Sequence, residues 1–350
     1  MSADFARPAG RNRTDVTVTV AGAGVAGLTA AVELATRGIA VEVIDRASGH
    51  GPHACSWYAG GMLAPWCEGE TAEEPVVRHG QRAIEWWRKH IPGVVRRGSL
   101  VVAPARDGAG LSRFARRTAG HETLDADALA ELEPDLAGRF TRALYFPHEA
   151  HLDPRAALRG LAARLADAGV RVRCNTGLET DRPGGPIIDA RGFAARDRLA
   201  DLRGVRGEML VVRSRDVTLT RPVRLVHPRF PVYVVPRGNG IYMVGATQVE
   251  SAERGPISVR GAVDLLNAAY ALHPAFADAD IVETGADVRP AFPDNLPRLR
   301  RRGRTLYING LYRHGFLLAP ACARMAAMAI ADPHHIPEFM DETDCERAPA

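Results

Sequence analysis

Apolar residues along this chain follow two different rhythms. In the first 45 residues a β-branched run at 16–20 leads into a glycine-rich turn, an alanine-rich stretch with helical spacing to Arg37, and a second β-rich run at 41–44. That order predicts a β-α-β unit with parallel strands. Helical patterns recur over 75–89, 154–168 and 258–273, the second opened by Asp153 as cap and Pro154 at the first helical position, where a proline loses no bonded N–H. From 207 to 245 the rhythm turns to β-rich runs at 208–212, 232–235 and 241–244, with Pro236-Arg237-Gly238-Asn239-Gly240 as the hairpin turn between the last two. The apolar segment 317–330 predicts a final helix. Its Pro320 is expected close enough to the start to lose no needed hydrogen bond. Residues 1–14 and 332–350 predict polar tails, the first flexible, the second docked or loose.

Composition adds exclusions. With 46% hydrophobic and 25% charged residues, the 350-residue chain is neither disordered nor a disulfide scaffold. Its five cysteines are scattered without a C-x-x-C pair, which argues against a structural zinc site and predicts no metal. The 1–14 segment lacks the apolar core of a signal peptide, and no run reaches the roughly 18 apolar residues of a membrane span. These features predict a cytoplasmic protein without a membrane partner. Lys89 is the only lysine among 45 basic residues. The arginine excess raises a nucleic-acid reading, but its tight cluster, Arg300-Arg301-Arg302-Gly303-Arg304, lacks interleaved aromatics and reads as a charged turn between strands. No nucleic-acid partner is expected.

The turn after the first strand reads Gly22-Ala23-Gly24-Val25-Ala26-Gly27. Between a strand and a helix, this G-x-G-x-x-G has a physical meaning. The first glycine permits the tight turn, the second lets backbone approach a pyrophosphate, and the third lets helix pack on strand. The helix N-terminus then faces the phosphates. Asp45 closes the second strand 18 residues after Gly27, placed to accept hydrogen bonds from a ribose. The motif alone does not separate NAD from FAD.

Three later blocks do. Cys55-Ser56-Trp57-Tyr58-Ala59-Gly60-Gly61-Met62-Leu63-Ala64-Pro65-Trp66 is followed by Val288-Arg289-Pro290-Ala291-Phe292-Pro293-Asp294-Asn295-Leu296-Pro297. The third is Asn309-Gly310-Leu311-Tyr312-Arg313-His314-Gly315-Phe316-Leu317-Leu318-Ala319-Pro320. With these the chain, from about 16 to 330, resembles the D-amino-acid oxidase superfamily, and within it the ThiO family of glycine oxidases of thiamine biosynthesis. The resemblance implies an α/β fold: a Rossmann-type FAD-binding domain (15–87, 142–206 and 287–331) interleaved with an α+β substrate domain on a mainly antiparallel sheet (88–141 and 207–286).

The same resemblance implies non-covalent FAD. It sets Gly22, Gly24, Val25, Ala26 and Gly27 at its pyrophosphate, Asp45 and Arg46 at its ribose and adenine, and Cys55 and Ser56 near its phosphates. Gly60, Gly61 and Met62 fall beside the flavin ring, and Leu311, Tyr312, Arg313, His314, Gly315, Phe316 and Leu317 along its pyrimidine edge. Leu178 falls by the adenine, in a stretch (175–187) shorter than related oxidases carry. Arg289 matches the arginine that clamps the substrate carboxylate, a planar fork suited to that anion. Tyr233 matches a second donor to it, Arg313 is a further substrate or flavin contact, and Gln248 and Met62 are pocket walls. No side chain is expected to act as acid or base. Of the histidines, His314 alone stands in a cofactor block, where a structural hydrogen bond is the expected role.

The implied reaction oxidises glycine, with sarcosine or small D-amino acids as further substrates, to an imine that hydrolyses to glyoxylate, while O2 becomes H2O2. A hand-off of the imine to a thiazole synthase and a homo-oligomer are implied as well. Rivals are another flavin amine oxidase or D-amino-acid dehydrogenase and a non-enzymatic FAD-bound subunit. Pocket size separates the amine oxidases, and sequence does not reveal it.

Overall fold

The computed structural model describes residues 16–49, 51–179, 184–227 and 231–342. The 1–14 tail, His50, Cys345 and the end of the C-terminal tail lie outside them. The first strand, Val18–Ala21, pairs in parallel with Val41–Ile44 on one side and with Ile187–Asp189 on the other. Val172–Arg173 and Thr305–Asn309 extend this parallel layer at its two edges. Arg298–Arg302 then runs antiparallel to Thr305–Asn309 and carries Met340–Glu342 on its far side, so the tail from Asp332 is docked through its last described residues. Of the arginine cluster, Arg300–Arg302 are therefore strand, and only Gly303 and Arg304 form the turn. Arg300 pairs with Asp201 and Asp341, and Arg302 with Glu342; these arginines are held by carboxylates of neighbouring segments.

Two helices cover the parallel layer. Val25–Thr36 follows the glycine turn, and Gly315–Ala331 packs against it with most of its side chains buried. Pro320 lies in the second turn of the final helix, beyond the positions that need no N–H. The carbonyl it leaves without a helical partner belongs to Phe316, and the Trp87 indole donates to that oxygen at 2.7 Å. The helical stretch expected over 75–89 is two helices, Glu74–Gly80 and Ala83–His90. The break lets Gly80 meet the Leu317 side chain, which a Cβ would approach to 2.7 Å, while Trp87 still reaches Phe316.

A second, mainly antiparallel sheet is built on the long strand Arg203–Arg213. One edge pairs along its whole length with Asp280–Ala291, and the other with Ile241–Gly245 and Val249–Glu250. The hairpin expected at 236–240 joins Val232–Gly238 to Ile241–Gly245 with a bulge at the turn. Val223–Leu225 and Ser99–Val102 form the one parallel pair among its described strands. Arg142–Phe146, expected with the parallel layer, pairs instead with Ser99–Val102 in this sheet. Its own apolar core, including Val234, Val244, Leu265 and Leu272, lies under the helix Val259–Leu272.

Candidate functional site

A cavity of about 1300 Å³ opens between the glycine turn, the 55–62 loop, the antiparallel sheet and the start of the final helix. One wall is backbone. Gly22 holds φ +104°, and a Cβ there would sit 2.5 Å from the Ala190 carbonyl oxygen. At Gly27 a Cβ would come within 1.8 Å of the Gly22 carbonyl, so the third glycine is what allows the helix to leave the turn at this angle. Gly24 leaves its space open toward Ser56, whose Oγ is buried without a hydrogen-bond partner. Asp45 accepts from the Ala23 amide at 2.6 Å and the Ala47 amide at 2.8 Å. It thus stiffens the turn, and a carboxylate keeps further acceptor sites beyond these two.

The 55–62 loop continues this wall. At Gly61, φ +70°, a Cβ would lie 2.2 Å from the Leu152 carbonyl oxygen, and at Gly60 one would lie 2.7 Å from the Tyr233 ring. Arg237, on the hairpin, fastens the loop by donating to the carbonyls of Leu152 and Gly60, each at 2.8 Å. The sequence reading missed Arg237. Its signal, a lone arginine after a turn proline, is indistinguishable from a surface charge.

The opposite wall is charged. Arg289, on Asp280–Ala291, donates to the Thr247 carbonyl at 3.1 Å and forms no ion pair among the described residues. Burial lowers its pKa, with Tyr233 pulling the other way. Gly207 on the neighbouring strand makes room for it, since a Cβ there would lie 2.1 Å from a guanidinium nitrogen. The Cys55 thiol, also facing Asp287 and Arg289, is pushed up to about 12 by burial first and by Asp287 second. Asp287 is itself buried. One of its oxygens accepts from the Val288 amide and pairs with Arg254 at 2.9 Å, and the other has no partner among the described residues. Tyr312 takes φ +47° and donates its N–H to the Pro290 carbonyl at 3.0 Å, tying the 310–314 turn to the strand of Arg289.

Glu68, at the end of the short helix Pro65–Glu68, gathers Arg224, Arg313 and His314. Arg224 donates to it at 2.7 Å and Arg313 at 3.0 Å, and the His314 Nδ1 lies 3.6 Å away. Burial would raise the Glu68 carboxyl, but Arg313, Arg224 and His314 outweigh it and hold the group well below the usual carboxylate range. Burial lowers His314 to about 4, so its ring is neutral at neutral pH. Behind this cluster Glu149 accepts from the Cys67 amide at 2.8 Å and from the Ser99 hydroxyl, and burial raises it to about 7.

Every residue expected in the site lines this cavity except Gly27, which acts one layer behind it. Arg46 and Gln248 are exposed at its rim, Leu178 is half-buried, and Arg313 reaches it with a side chain already paired to Glu68. Glu68, Arg224, Arg254 and Asp287 were not anticipated from the sequence.

The glycine cradle, the partnerless Ser56 hydroxyl and the acid at the end of the second strand fit a dinucleotide in both shape and chemistry. Residues 17–329 match DAO, the family of FAD dependent oxidoreductases, and the chain belongs to that family. It is 56% identical over 322 residues, 92% of this chain and 98% of the other, to a Rhizobium etli protein provisionally named thiamine biosynthesis oxidoreductase ThiO. It is 26% identical to the bifunctional protein ThiO/ThiG of Trichormus variabilis, across 90% of this chain but about half (52%) of that one. The fold is that of glycine oxidase from Geobacillus kaustophilus, with a TM-score of 0.76 at 24% identity over 92% of this chain and 95% of that structure. Among the described residues no helix is long and apolar enough to cross a membrane, and no group of three or more metal-ligating side chains occurs.

Proposed function

We propose that the protein is a glycine oxidase: glycine, O2 and water give glyoxylate, ammonia and H2O2, with the imine as the first product. The observation that carries this reading is Arg289, a guanidinium without a carboxylate partner among the described residues, facing the same cavity as the glycine cradle. A planar, partly desolvated fork of this kind suits one carboxylate bound bidentately.

In this reading Gly22, Gly24, Val25, Ala26 and Ser56 hold the pyrophosphate, Asp45 and Arg46 the ribose side, and Leu178 the adenine. Gly60, Gly61 and Met62 lie against the flavin ring. When bound, FAD supplies a hydride acceptor at N5 and passes the electrons to O2. The chain's own contribution is positioning and electrostatics. Arg289 and Tyr233 fix the substrate carboxylate, which orients Cα. The start of Gly315–Ala331 turns unbonded amides and the positive end of a long helix toward the 311–315 edge of the cavity, favouring negative charge there. Two nearby side chains, the Cys55 thiol at about 12 and His314 at about 4, are poor bases at neutral pH. Loss of a proton from the substrate amine to solvent on binding is consistent with that wall.

The ThiO and ThiO/ThiG relatives support a further step in which the imine is handed to a thiazole synthase rather than hydrolysed. The test is peroxide release by the yellow, FAD-loaded protein with glycine, sarcosine, D-alanine and D-proline. Glycine is expected to be turned over best, and activity with none of the four would overturn the reading.

A further inference from the structure

Two of the arginines that line the cavity stand in different electrical states. Arg289 has a carbonyl for a partner, whereas Arg313 shares the Glu68 carboxylate with Arg224, and both Glu68 and Arg224 are largely shielded from solvent. Arg313 stands close enough to Arg289 to push its pKa down. Without Glu68 this corner of the cavity would hold the three guanidiniums of Arg224, Arg289 and Arg313, the first and last converging on one spot. His314 adds no charge there at neutral pH, because burial keeps its ring unprotonated.

We propose that Glu68 is a specificity-determining residue. By occupying Arg224 and Arg313 it leaves Arg289 as the one cavity-lining arginine that is shielded from solvent and lacks a carboxylate partner among the described residues, Arg46, Arg113 and Arg260 being exposed, and so turns away ligands with a second carboxylate. The class admitted is the small monocarboxylic amino acid; the class refused is the diacid whose second arm reaches the 224–313 pair. The proposal rests on Arg289 being the carboxylate clamp of the preceding reading. The geometry favours a direct role over a purely architectural one. Glu68 receives Arg224 from the strand Val223–Leu225 and Arg313 from the turn before the final helix, both lining the cavity itself. A third carboxylate brought to that point would meet Glu68 as a like charge and would have to displace it, at the expense of two charge-assisted hydrogen bonds.

The test is equilibrium binding to the FAD-loaded protein, read by calorimetry, of two acids that undergo no amine oxidation: glycolate, with one carboxylate, and diglycolate, with two. In the unaltered protein glycolate is expected to bind the more tightly. In Glu68→Gln the diglycolate-to-glycolate Kd ratio is expected to fall about tenfold, equivalent to ~1.4 kcal/mol. Adding Arg313→Gln is expected to restore most of the ratio. An unchanged ratio in Glu68→Gln overturns the proposal, and so does an equal fall with and without Arg313, which would mark simple enlargement of the pocket. Should Glu68→Gln not fold, Arg224→Gln serves instead. It removes a cation, is expected to raise the ratio about threefold, and overturns the proposal if the ratio stays level or falls. Binding of glycolate with no Glu68 effect strikes this inference alone, whereas failure of the unaltered protein to bind either acid strikes the clamp reading and this inference with it.

Discussion

Gly22 and Gly24, with Gly27 one layer behind them, shape one wall of the cavity with backbone, while Arg289, Tyr233, Arg224, Arg313 and Glu68 shape the other with side chains drawn from separate stretches of the chain. The backbone wall is local: its parts lie within a few dozen residues, and its geometry follows from where a Cβ cannot go. The charged wall depends on sheet register. Arg289 stands where Asp280–Ala291 pairs with Arg203–Arg213, and Tyr233 stands opposite Gly245 across the hairpin. The first wall should therefore tolerate changes of charge and fail on added volume, and the second should do the reverse.

The largest expected effect is on the charged wall. Arg289→Ala is predicted to lower kcat/KM for glycine by on the order of 10³-fold, as expected when one partner of a desolvated, hydrogen-bonded charge pair is truncated. Flavin content, read from the visible absorbance, should be unchanged. An unaltered KM in that variant would remove Arg289 from the substrate site.

Next comes the carboxylate behind the same wall. Glu149 has a folded pKa raised from 4.5 to about 7. The stability it contributes is present below the unfolded value and is lost as pH rises through the folded one. His314 works in the opposite sense: its ring is lowered from 6.5 to about 4, so its contribution is present above the unfolded value and is lost on acidification. Glu149→Gln removes the first dependence and leaves the second. Relative to the unaltered protein, the variant should gain stability between pH 5 and 8, by at most about 3 kcal/mol. The check is Tm across that range, and a pH-independent difference between the two proteins would contradict the assignment.

On the backbone wall volume should decide. Gly27→Ala drives a methyl to 1.8 Å from the Gly22 carbonyl, and overpacking of this kind costs about 1–3 kcal/mol. A loss of flavin affinity should accompany it. Gly24→Ala meets only the Ser56 hydroxyl, at 3.6 Å, and should be the milder of the two. If both variants lost flavin equally, contact with the cofactor rather than helix packing would be the shared cause.

The same contrast accounts for what could be read from the chain itself. The glycine turn, the Asp153-Pro154 helix start and the 236–240 hairpin are legible because each is settled by residues a few positions apart. Asp153 does cap its helix, accepting from the Ala156 amide at 2.8 Å. Arg289 was reached only through resemblance, since no local pattern separates it from the other arginines. Glu68 escaped notice because its partners lie 156 and 245 residues away. Pro320 was misjudged for a similar reason: whether its missing N–H matters depends on Trp87, 229 residues from the carbonyl it serves. Periodicity predicts one continuous helix over 75–89 because it does not register that Gly80 must meet Leu317.

The smallest effect tests whether the backbone wall is built for a ligand or merely for its own packing. Ser56 Oγ is buried, lies beside Gly24 and has no partner among the described residues, and leaving such a hydroxyl unsatisfied costs about 1–3 kcal/mol. If a pyrophosphate oxygen is its partner, Ser56→Ala should act with opposite signs in two states of the same protein. Stripped of flavin, the variant should be the more stable by about 1 kcal/mol, because an unpaired polar atom has been removed. Loaded with FAD, it should lose a hydrogen bond to a charged group, weakening FAD binding by about tenfold. Tm with and without saturating FAD measures both. Shifts of the same sign in the two states would mean that Ser56 serves packing, and the cradle would then rest on its glycines alone.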